Sequence, residues 1–223
     1  MPILLSIDTA LESASICLTN GNAILGLSKK TDQKDHAAWL HVAIRENLDK
    51  NNLRPASLEG IIVSIGPGSY TGLRIGLATA KGLCYALNIP LITVSTLEMI
   101  ATAAHADATD LICPIIDARR MEVYMALYDR QLTMLRAPEA MIVEANSFDE
   151  FLSNNNLTFC GSGSKKLQAV LSHPHANFSP LQATAEHLAK IGLQHFTAQR
   201  FADLAYTEPF YLKDFHTHHT PKD

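Results

Sequence analysis

Short apolar runs and amphipathic stretches alternate along the first hundred residues of the chain. Apolar runs over residues 3–7, 13–18 and 23–29, with an Asn20-Gly21-Asn22 turn between the last two, predict a three-stranded antiparallel meander. The elements that we expect next are a helix over 35–50, a strand over 61–65, a helix after Gly68, a strand over 91–94 and a helix capped by Thr96 that ends near Ala106.

The same order of patterns begins again near residue 111. An apolar strand pattern ends at Asp117 and another covers 122–128, just as Asp8 follows the first strand and 13–18 forms the second. This repeat predicts two similar lobes, which we place at residues 1–104 and 105–223, with the C-terminal tail returning to the first lobe. Strands over 141–143 and 157–160 and helices over 147–152, 165–171 and 184–196 complete an α/β fold.

A buried strand pattern breaks at two glycines and restarts at helical spacing between residues 61 and 76. Pro67 removes a hydrogen-bond donor and Gly68 permits a positive φ, so the strand ends there. Ser69 or Thr71 then caps the following helix. Such a junction offers backbone N–H groups and the positive end of a helix, which is the physical basis of anion sites.

The helix after Gly68 carries very small residues along one edge. They recur every four positions, at Gly72, Gly76, Ala80 and Cys84. Together with Gly82, the interior glycines cost this helix about 3 kcal/mol relative to alanine. Close approach of another backbone would offset that cost, and this backbone belongs either to the chain's own sheet or to a second subunit.

The helix over 35–50 is apolar on two sides and therefore needs two neighbours. One stripe includes Leu40 and Ile44, while Trp39, Val42 and Ala43 form another. The first neighbour is the sheet. The second is either the small-edged helix or a partner protein.

The composition is that of an ordinary globular protein. The chain has 223 residues, of which 47% are hydrophobic and 18% charged, and its formal net charge is -4. The apolar stretches are shorter than the roughly 20 residues of a membrane span, and the N-terminus lacks the pattern of a signal peptide, so we expect a cytoplasmic protein without membrane contact. With no basic run, the chain alone should bind nucleic acid poorly. The four cysteines form no Cys-x-x-Cys pair and are expected to be buried free thiols.

Asp8 and Asp117 are the candidate metal-binding carboxylates, one in each predicted lobe. Facing each other across a cleft, they could organise a magnesium-bound phosphate, as in two-lobed actin-like ATPases. The alternative is that each aspartate stabilises the turn after its strand. The segment from Asp8 to Ser13 has no glycine with which to wrap a phosphate, and Glu12 would repel one.

Glycine-rich nucleotide motifs are incomplete in this chain. The spacing of Gly66, Gly68 and Gly72 differs from the dinucleotide fingerprint, and the next strand is not followed by an acidic residue. Gly161 and Gly163 lie in a segment too short for a phosphate-binding loop, which favours a turn and a helix cap.

The histidine and serine patterns also favour structural roles over metal-binding or catalytic ones. His36 and His41 are five residues apart and lie on different helix faces, which disfavours a metal pair. Ser69 lies in no nucleophile elbow. We interpret the histidines near the C-terminus as part of a solvated tail. They are His216, His218 and His219.

Five motifs, read in order, resemble the TsaB family, formerly YeaZ. They span almost the whole chain, and the block 66–76 is the most specific of them. The motifs are Ile7-Asp8-Thr9-Ala10, the block 66–76, Ser95-Thr96-Leu97, the stretch 116–124, and Pro209 with Tyr211-Leu212.

The resemblance implies an actin-like, sugar kinase and Hsp70 fold with two lobes and a duplicated mixed β-sheet core. It implies a noncatalytic subunit that joins TsaD through two helices of the first lobe. By motif match, the contact residues would be Trp39, Ala43, Ser69, Tyr70, Gly72, Leu73, Ile75, Gly76 and Ala80. Asp8, Asp117, Gly161 and Gly163 would be vestigial positions of a nucleotide site.

The resemblance also implies partners. TsaD would form a heterodimer with this chain, TsaE would join a ternary complex, and the chain alone would form a homodimer through the same helices. The complex would transfer a threonylcarbamoyl group to the adenosine beside the anticodon of tRNAs that read codons beginning with A. ATP and a divalent metal would bind the partner subunits, this chain would hold no cofactor, and tRNA would contact it only indirectly.

Two expectations follow from this interpretation. Leucine or glutamate at Gly72 or Gly76 should abolish the complex and leave the fold largely intact. The alternative function is an actin-like ATPase or small-molecule kinase that uses Asp8 and Asp117.

Overall fold

The first lobe contains a five-stranded mixed sheet in the order β3-β2-β1-β4-β5. The computed structural model describes residues 1–31 and 36–213 of the chain. β1 pairs antiparallel with β2 and parallel with β4, and the N-terminal meander is confirmed. The elements are β1 (Ile3–Asp8), β2 (Ala14–Asn20), β3 (Ala23–Lys30), α1 (His36–Lys50), β4 (Gly60–Ser64), α2 (Tyr70–Leu87), β5 (Leu91–Val94) and α3 (Thr96–Ala104).

The second lobe repeats this sheet. Its order, β8-β7-β6-β9-β10, corresponds strand for strand to the first, with the same parallel and antiparallel pairs. The duplication predicted from the sequence is therefore confirmed. The elements are β6 (Leu111–Asp117), β7 (Glu122–Asp129), β8 (Met134–Ile142), α4 (Asp149–Leu152), β9 (Leu157–Cys160), α5 (Ser164–Gln168), β10 (Ala176–Phe178) and α6 (Ala185–Thr197).

Successive side chains of a strand point to opposite faces of its sheet, and helices cover both faces. In β1, Leu5 and Ile7 belong to the core formed with α1 and α2, whereas Leu4 belongs to the core formed with α6. Because β1 and β4 are covered on both sides, they consist almost entirely of buried residues.

The two lobes exchange helices. α6 follows the second sheet in sequence but packs on the first, against β1, β2, β4 and β5, and α3 packs on β6, β7 and β9 of the second. Residues 202–213, which we call the C-terminal strap, also return to the first lobe, where Ala202 donates to the Leu91 carbonyl and Phe210 to the Ile65 carbonyl, and Lys213 at their end contacts Glu122 of the second lobe. A boundary between residues 104 and 105 therefore does not separate the packing units.

Three local predictions need correction. Ser95, not Thr96, occupies the N-cap of α3, because the Thr96 hydroxyl instead accepts a hydrogen bond from the Gly66 backbone N–H at 3.1 Å. β8 begins at Met134, well before residue 141. The sequence interpretation missed β10, since three residues are too few to form a recognisable period.

The expectation for the cysteines agrees with the structure. Cys17, Cys84, Cys113 and Cys160 are all buried and free. None of the helices in residues 1–31 and 36–213 is long and apolar enough to cross a membrane. The prediction for the C-terminal histidines lies outside the described residues.

Candidate functional site

The start of α2 is fixed to the turn between β1 and β2. Ser69 is the N-cap, as predicted, and its side-chain oxygen accepts a hydrogen bond from the Gly72 backbone N–H at 3.2 Å. The Ser69 backbone N–H donates to the Ala10 carbonyl at 2.8 Å. These donors of the first turn are therefore occupied within the chain.

The small-residue edge of α2 faces inward. A Cβ added at Gly72 would lie 1.9 Å from the Thr9 carbonyl oxygen, and one added at Gly76 would lie 2.4 Å from the Thr9 hydroxyl oxygen. The Thr9 hydroxyl also donates to the Gly72 carbonyl at 2.6 Å. Ala80 and Cys84, further along the same edge, are buried. The backbone that approaches the glycines thus belongs to the chain's own first lobe.

This geometry counts against part of the predicted partner surface. Five of the predicted residues are buried in the first lobe, so they offer little surface to a second subunit; they are Ala43, Gly72, Leu73, Gly76 and Ala80. The expectation that large residues at Gly72 or Gly76 leave the fold intact is also wrong, because their side chains would overlap the β1–β2 turn.

The opposite face of α2 and the adjoining side of α1 remain accessible. Trp39, Tyr70 and Ile75 are half-buried and Ser69 is exposed, so these four predicted positions can still contact a partner. Val42, which the sequence placed in the second apolar stripe of this helix, is also accessible, and so are Ala78 and Gly82, which sequence reasoning did not assign to a partner surface. We call these seven residues the outward surface.

Gly82 is unlike the other α2 glycines. A Cβ added there would meet nothing within 4 Å, so no close approach within the described structure explains it. A signal was present in the sequence, because at about 100° per residue Gly82 lies on a different side of the helix from Gly72 and Gly76.

A pocket of about 370 Å³ opens where α1 and α2 begin. His36 lies in its wall, is buried, and has no hydrogen-bond partner for its Nε2 atom in the described part of the chain. The lining residues are Leu11, His36, Ala37, Ser69, Thr71, Gly72 and Ile75. The outward surface therefore begins in a concavity.

The C-terminal strap borders the start of α2. Arg74 places its guanidinium 4.1 Å from the centre of the Tyr70 ring and donates to the Tyr211 hydroxyl at 3.1 Å. The rings of Tyr70 and Tyr211 are 5.0 Å apart. This cation and aromatic cluster fixes one end of the outward surface.

Asp8 lies beneath the β1–β2 turn and is fully buried. Its Oδ1 atom accepts hydrogen bonds from the Ser64 hydroxyl at 2.6 Å and from the Ala10 backbone N–H at 3.1 Å, while Oδ2 has no partner among the described residues. Burial raises the pKa of Asp8 to about 6, against the lowering effect of these two hydrogen bonds. A carboxyl in this position stabilises its turn and is shielded from solvent cations.

Asp117 ends the equivalent strand of the second lobe but is exposed. Lys166 contacts its Oδ1 atom at 2.5 Å, and the Arg119 backbone N–H donates to the same atom at 2.7 Å. Partial burial raises the pKa of Asp117, but these two hydrogen bonds and the positive charges of Lys166 and Arg119 together outweigh it, so the net pKa is lowered. The two aspartates therefore occupy equivalent strand ends in opposite environments.

The second-lobe glycines also have a packing role. A Cβ at Gly161 would lie 2.5 Å from the Ile115 carbonyl oxygen, and one at Gly163 would lie 2.4 Å from the Ile115 side chain.

In residues 1–31 and 36–213 there is no group of three or more His, Cys, Asp or Glu side chains that could hold a metal ion.

Comparison with known proteins assigns the family. The model for "TsaD: tRNA N6-adenosine threonylcarbamoyltransferase" matches residues 26–219. The chain belongs to this family. Among curated relatives, the tRNA threonylcarbamoyladenosine biosynthesis protein TsaB of Bacillus subtilis is 39% identical over 126 residues, 56% of this chain and 54% of the relative. TsaB of Escherichia coli is 32% identical over 128 residues, 57% and 55% of the two chains.

Solved structures extend the similarity over the remaining length. YeaZ from Pseudomonas aeruginosa superposes with a TM-score of 0.83 at 25% identity, covering 95% of this chain and 100% of that one. The resemblance to TsaB (YeaZ) proteins and the predicted two-lobed actin-like fold are confirmed. The chain spans about half the length of the curated TsaB relatives it matches.

Proposed function

We propose that the chain is a noncatalytic subunit that binds and activates TsaD in forming N6-threonylcarbamoyladenosine. The modified adenosine would lie next to the anticodon of tRNAs that read ANN codons. The family model and the names of the TsaB relatives support a role in this modification.

The outward surface of α1 and α2 is the observation that carries this proposal. Val42 is 43% exposed, and the exposed Ala78 and Gly82 give α2 a smooth outer side. α2 contains no acidic residue, so a partner would not have to desolvate a carboxylate of this helix. An interior glycine costs a helix about 1 kcal/mol relative to alanine, and at Gly82 docking of a partner helix would offset that cost.

The same surface would serve alternative partners. TsaD would occupy it in a heterodimer, a second copy of the chain would occupy it when TsaD is absent, and TsaE would join the TsaD-bound form. ATP and a divalent metal would bind the partner subunits. The burial of Asp8 beneath its turn and the Asp117–Lys166 ion pair support a chain that holds neither.

Reconstitution tests this function. We expect TsaD to form threonylcarbamoyladenosine faster in the presence of the chain, and the chain without TsaD to form none. Size-exclusion light scattering should show a homodimer of the chain alone and a mixed complex after TsaD is added. Product formation by the chain alone, or equal TsaD activity with and without it, would contradict the proposal.

The alternative is an actin-like ATPase or small-molecule kinase. The equivalent positions of Asp8 and Asp117 in a duplicated fold favour it, whereas the burial of Asp8 counts against it. Calorimetry of the isolated chain with Mg-ATP separates the two functions. Tight binding that is lost in Asp117→Asn would favour the kinase.

A further inference from the structure

The turn between β6 and β7 has an unusual backbone. Three successive residues, Arg119, Arg120 and Met121, have positive φ values of 69°, 46° and 58°. Residues other than glycine, asparagine and aspartate rarely adopt this region, and bulky side chains there are backbone outliers. Strained turns of this kind concentrate at functional sites, where the surrounding contacts hold them in place.

The base of the turn is held by hydrogen bonds and ion pairs. The Ala118 backbone N–H donates to the Glu122 carbonyl at 3.0 Å, and the Glu122 N–H donates to the Arg119 carbonyl at 2.9 Å. Lys166 contacts both the Asp117 carboxylate and the Glu122 carbonyl. Lys213 of the C-terminal strap contacts the Glu122 carboxylate at 2.5 Å. The two carboxylates beside the turn are thus neutralised by lysines.

The two arginine side chains form no direct polar contact with the described residues, although the charge of Arg119 contributes to the lowered pKa of Asp117. Arg119 and Arg120 are exposed, and neither guanidinium has a hydrogen bond or ion pair with the residues in the described ranges. Because Lys166 and Lys213 balance Asp117 and Glu122, both arginine charges add to a positive local field. The tip is therefore electropositive in a chain whose formal net charge is -4.

The tip also lies near one end of the outward surface. Lys213, which reaches Glu122, is two residues after Tyr211, which packs on Tyr70 at the start of α2. Two residues of extended chain span at most about 7 Å. The C-terminal strap therefore joins the tip to this end of the outward surface.

We propose that the tip formed by Arg119 and Arg120 binds phosphate groups of tRNA when the chain is in complex with TsaD. This inference rests on the proposed function, and it revises the expectation that tRNA contacts the chain only indirectly. A planar guanidinium pairs with phosphate in a bidentate geometry, and a fixed turn presents two of them with little loss of freedom. Two phosphate contacts are too few to hold RNA alone, which agrees with the poor binding expected of the isolated chain.

The test is tRNA affinity of the TsaD complex as a function of salt concentration. Each phosphate contact contributes about 0.7 to 0.9 to the slope of log K against log salt. The double variant Arg119→Glu/Arg120→Glu should reduce that slope by about 1.5 and weaken binding about tenfold or more near 0.1 M salt. Arg119→Lys/Arg120→Lys keeps the charges and should retain most of the slope.

Arg54→Glu/Arg200→Glu is the matched control, because both arginines are exposed and lie on the first lobe. It makes the same change in net charge and should leave the slope unchanged. If the Arg119/Arg120 variant forms the TsaD complex and its slope equals that of this control, the inference is overturned and the proposed function stands.

Complex formation with TsaD is measured first, by light scattering. A double variant that is folded but no longer binds TsaD would show that the tip contacts protein, which also overturns the inference. Failure of the unmodified chain to bind TsaD would overturn the proposed function and this inference together.

Discussion

The two sides of α2 contain similar residues in opposite environments. Gly72 and Gly76 face inward, where the Thr9 backbone and side chain leave no room for a Cβ. Gly82 faces outward, where an added Cβ meets nothing within 4 Å. Packing within the first lobe thus explains the glycines on one side of α2 but not the glycine on the other. Small residues along a helix therefore indicate a partner surface only where no contact within the chain's own fold accounts for them.

Leucine substitutions should give the largest contrast between these sides. Gly72→Leu places a side chain into the Thr9 carbonyl, so we expect it to lose at least about 3 kcal/mol of stability or to fail to fold. The matched control Gly82→Leu adds the same atoms on the open side and should change stability by less than about 1 kcal/mol. Urea denaturation of both variants measures the difference, and equal stabilities would contradict the packing described for α2.

The pH dependence of stability tests the turn beneath the inward side. The pKa of Asp8 is about 6 in the folded chain and 3.8 for an ordinary aspartate, so the folded state holds the proton more tightly. Stability contributed by protonated Asp8 is therefore present below pH 4 and is lost as the pH rises to about 6. The shift corresponds to a loss of about 3 kcal/mol, since one pKa unit is worth about 1.4 kcal/mol.

Asp8→Asn should remove this component of the pH dependence, because an amide does not titrate. Urea denaturation between pH 4 and pH 7.5 compares the variant with the unmodified chain. A variant that keeps the full loss of stability over this range would show that another group is responsible.

Alanine substitutions should give smaller effects of opposite sign. Gly82→Ala removes the helix penalty of glycine without a contact and should stabilise the isolated chain by up to about 1 kcal/mol. Gly76→Ala places its methyl group against the Thr9 hydroxyl and should destabilise it by about 1 to 3 kcal/mol. Thermal unfolding of the two variants provides the measurement. The same sign for both would remove the distinction between the sides.

Most of the fold could be predicted from the sequence, because buried strands and amphipathic helices leave strong periods. The duplicated sheet follows from two apolar runs that each end in an aspartate, Asp8 and Asp117. β10 has only three residues, and α6 packs on the lobe that precedes it in the chain. Neither feature produces a local sequence period.

The candidate site was only partly predictable. The spacing of Gly72, Gly76 and Ala80 indicates that another backbone packs closely against them. The spacing is the same whether that backbone belongs to the chain itself or to a partner, so only the structure could show that these residues are buried within the first lobe. The left-handed backbone at Arg119 and Arg120 leaves no sequence signal either, since glycine and asparagine are absent from that turn.

Calorimetric titration of TsaD with Gly82→Glu tests most directly whether the outward surface binds the partner. Gln194→Glu is the control, because it adds one negative charge at an exposed position of α6, on the opposite side of the first sheet. Circular dichroism first establishes that both variants fold as the unmodified chain does. We predict that Gly82→Glu weakens TsaD binding at least 100-fold while Gln194→Glu binds normally, and normal binding by a folded Gly82→Glu would contradict the account.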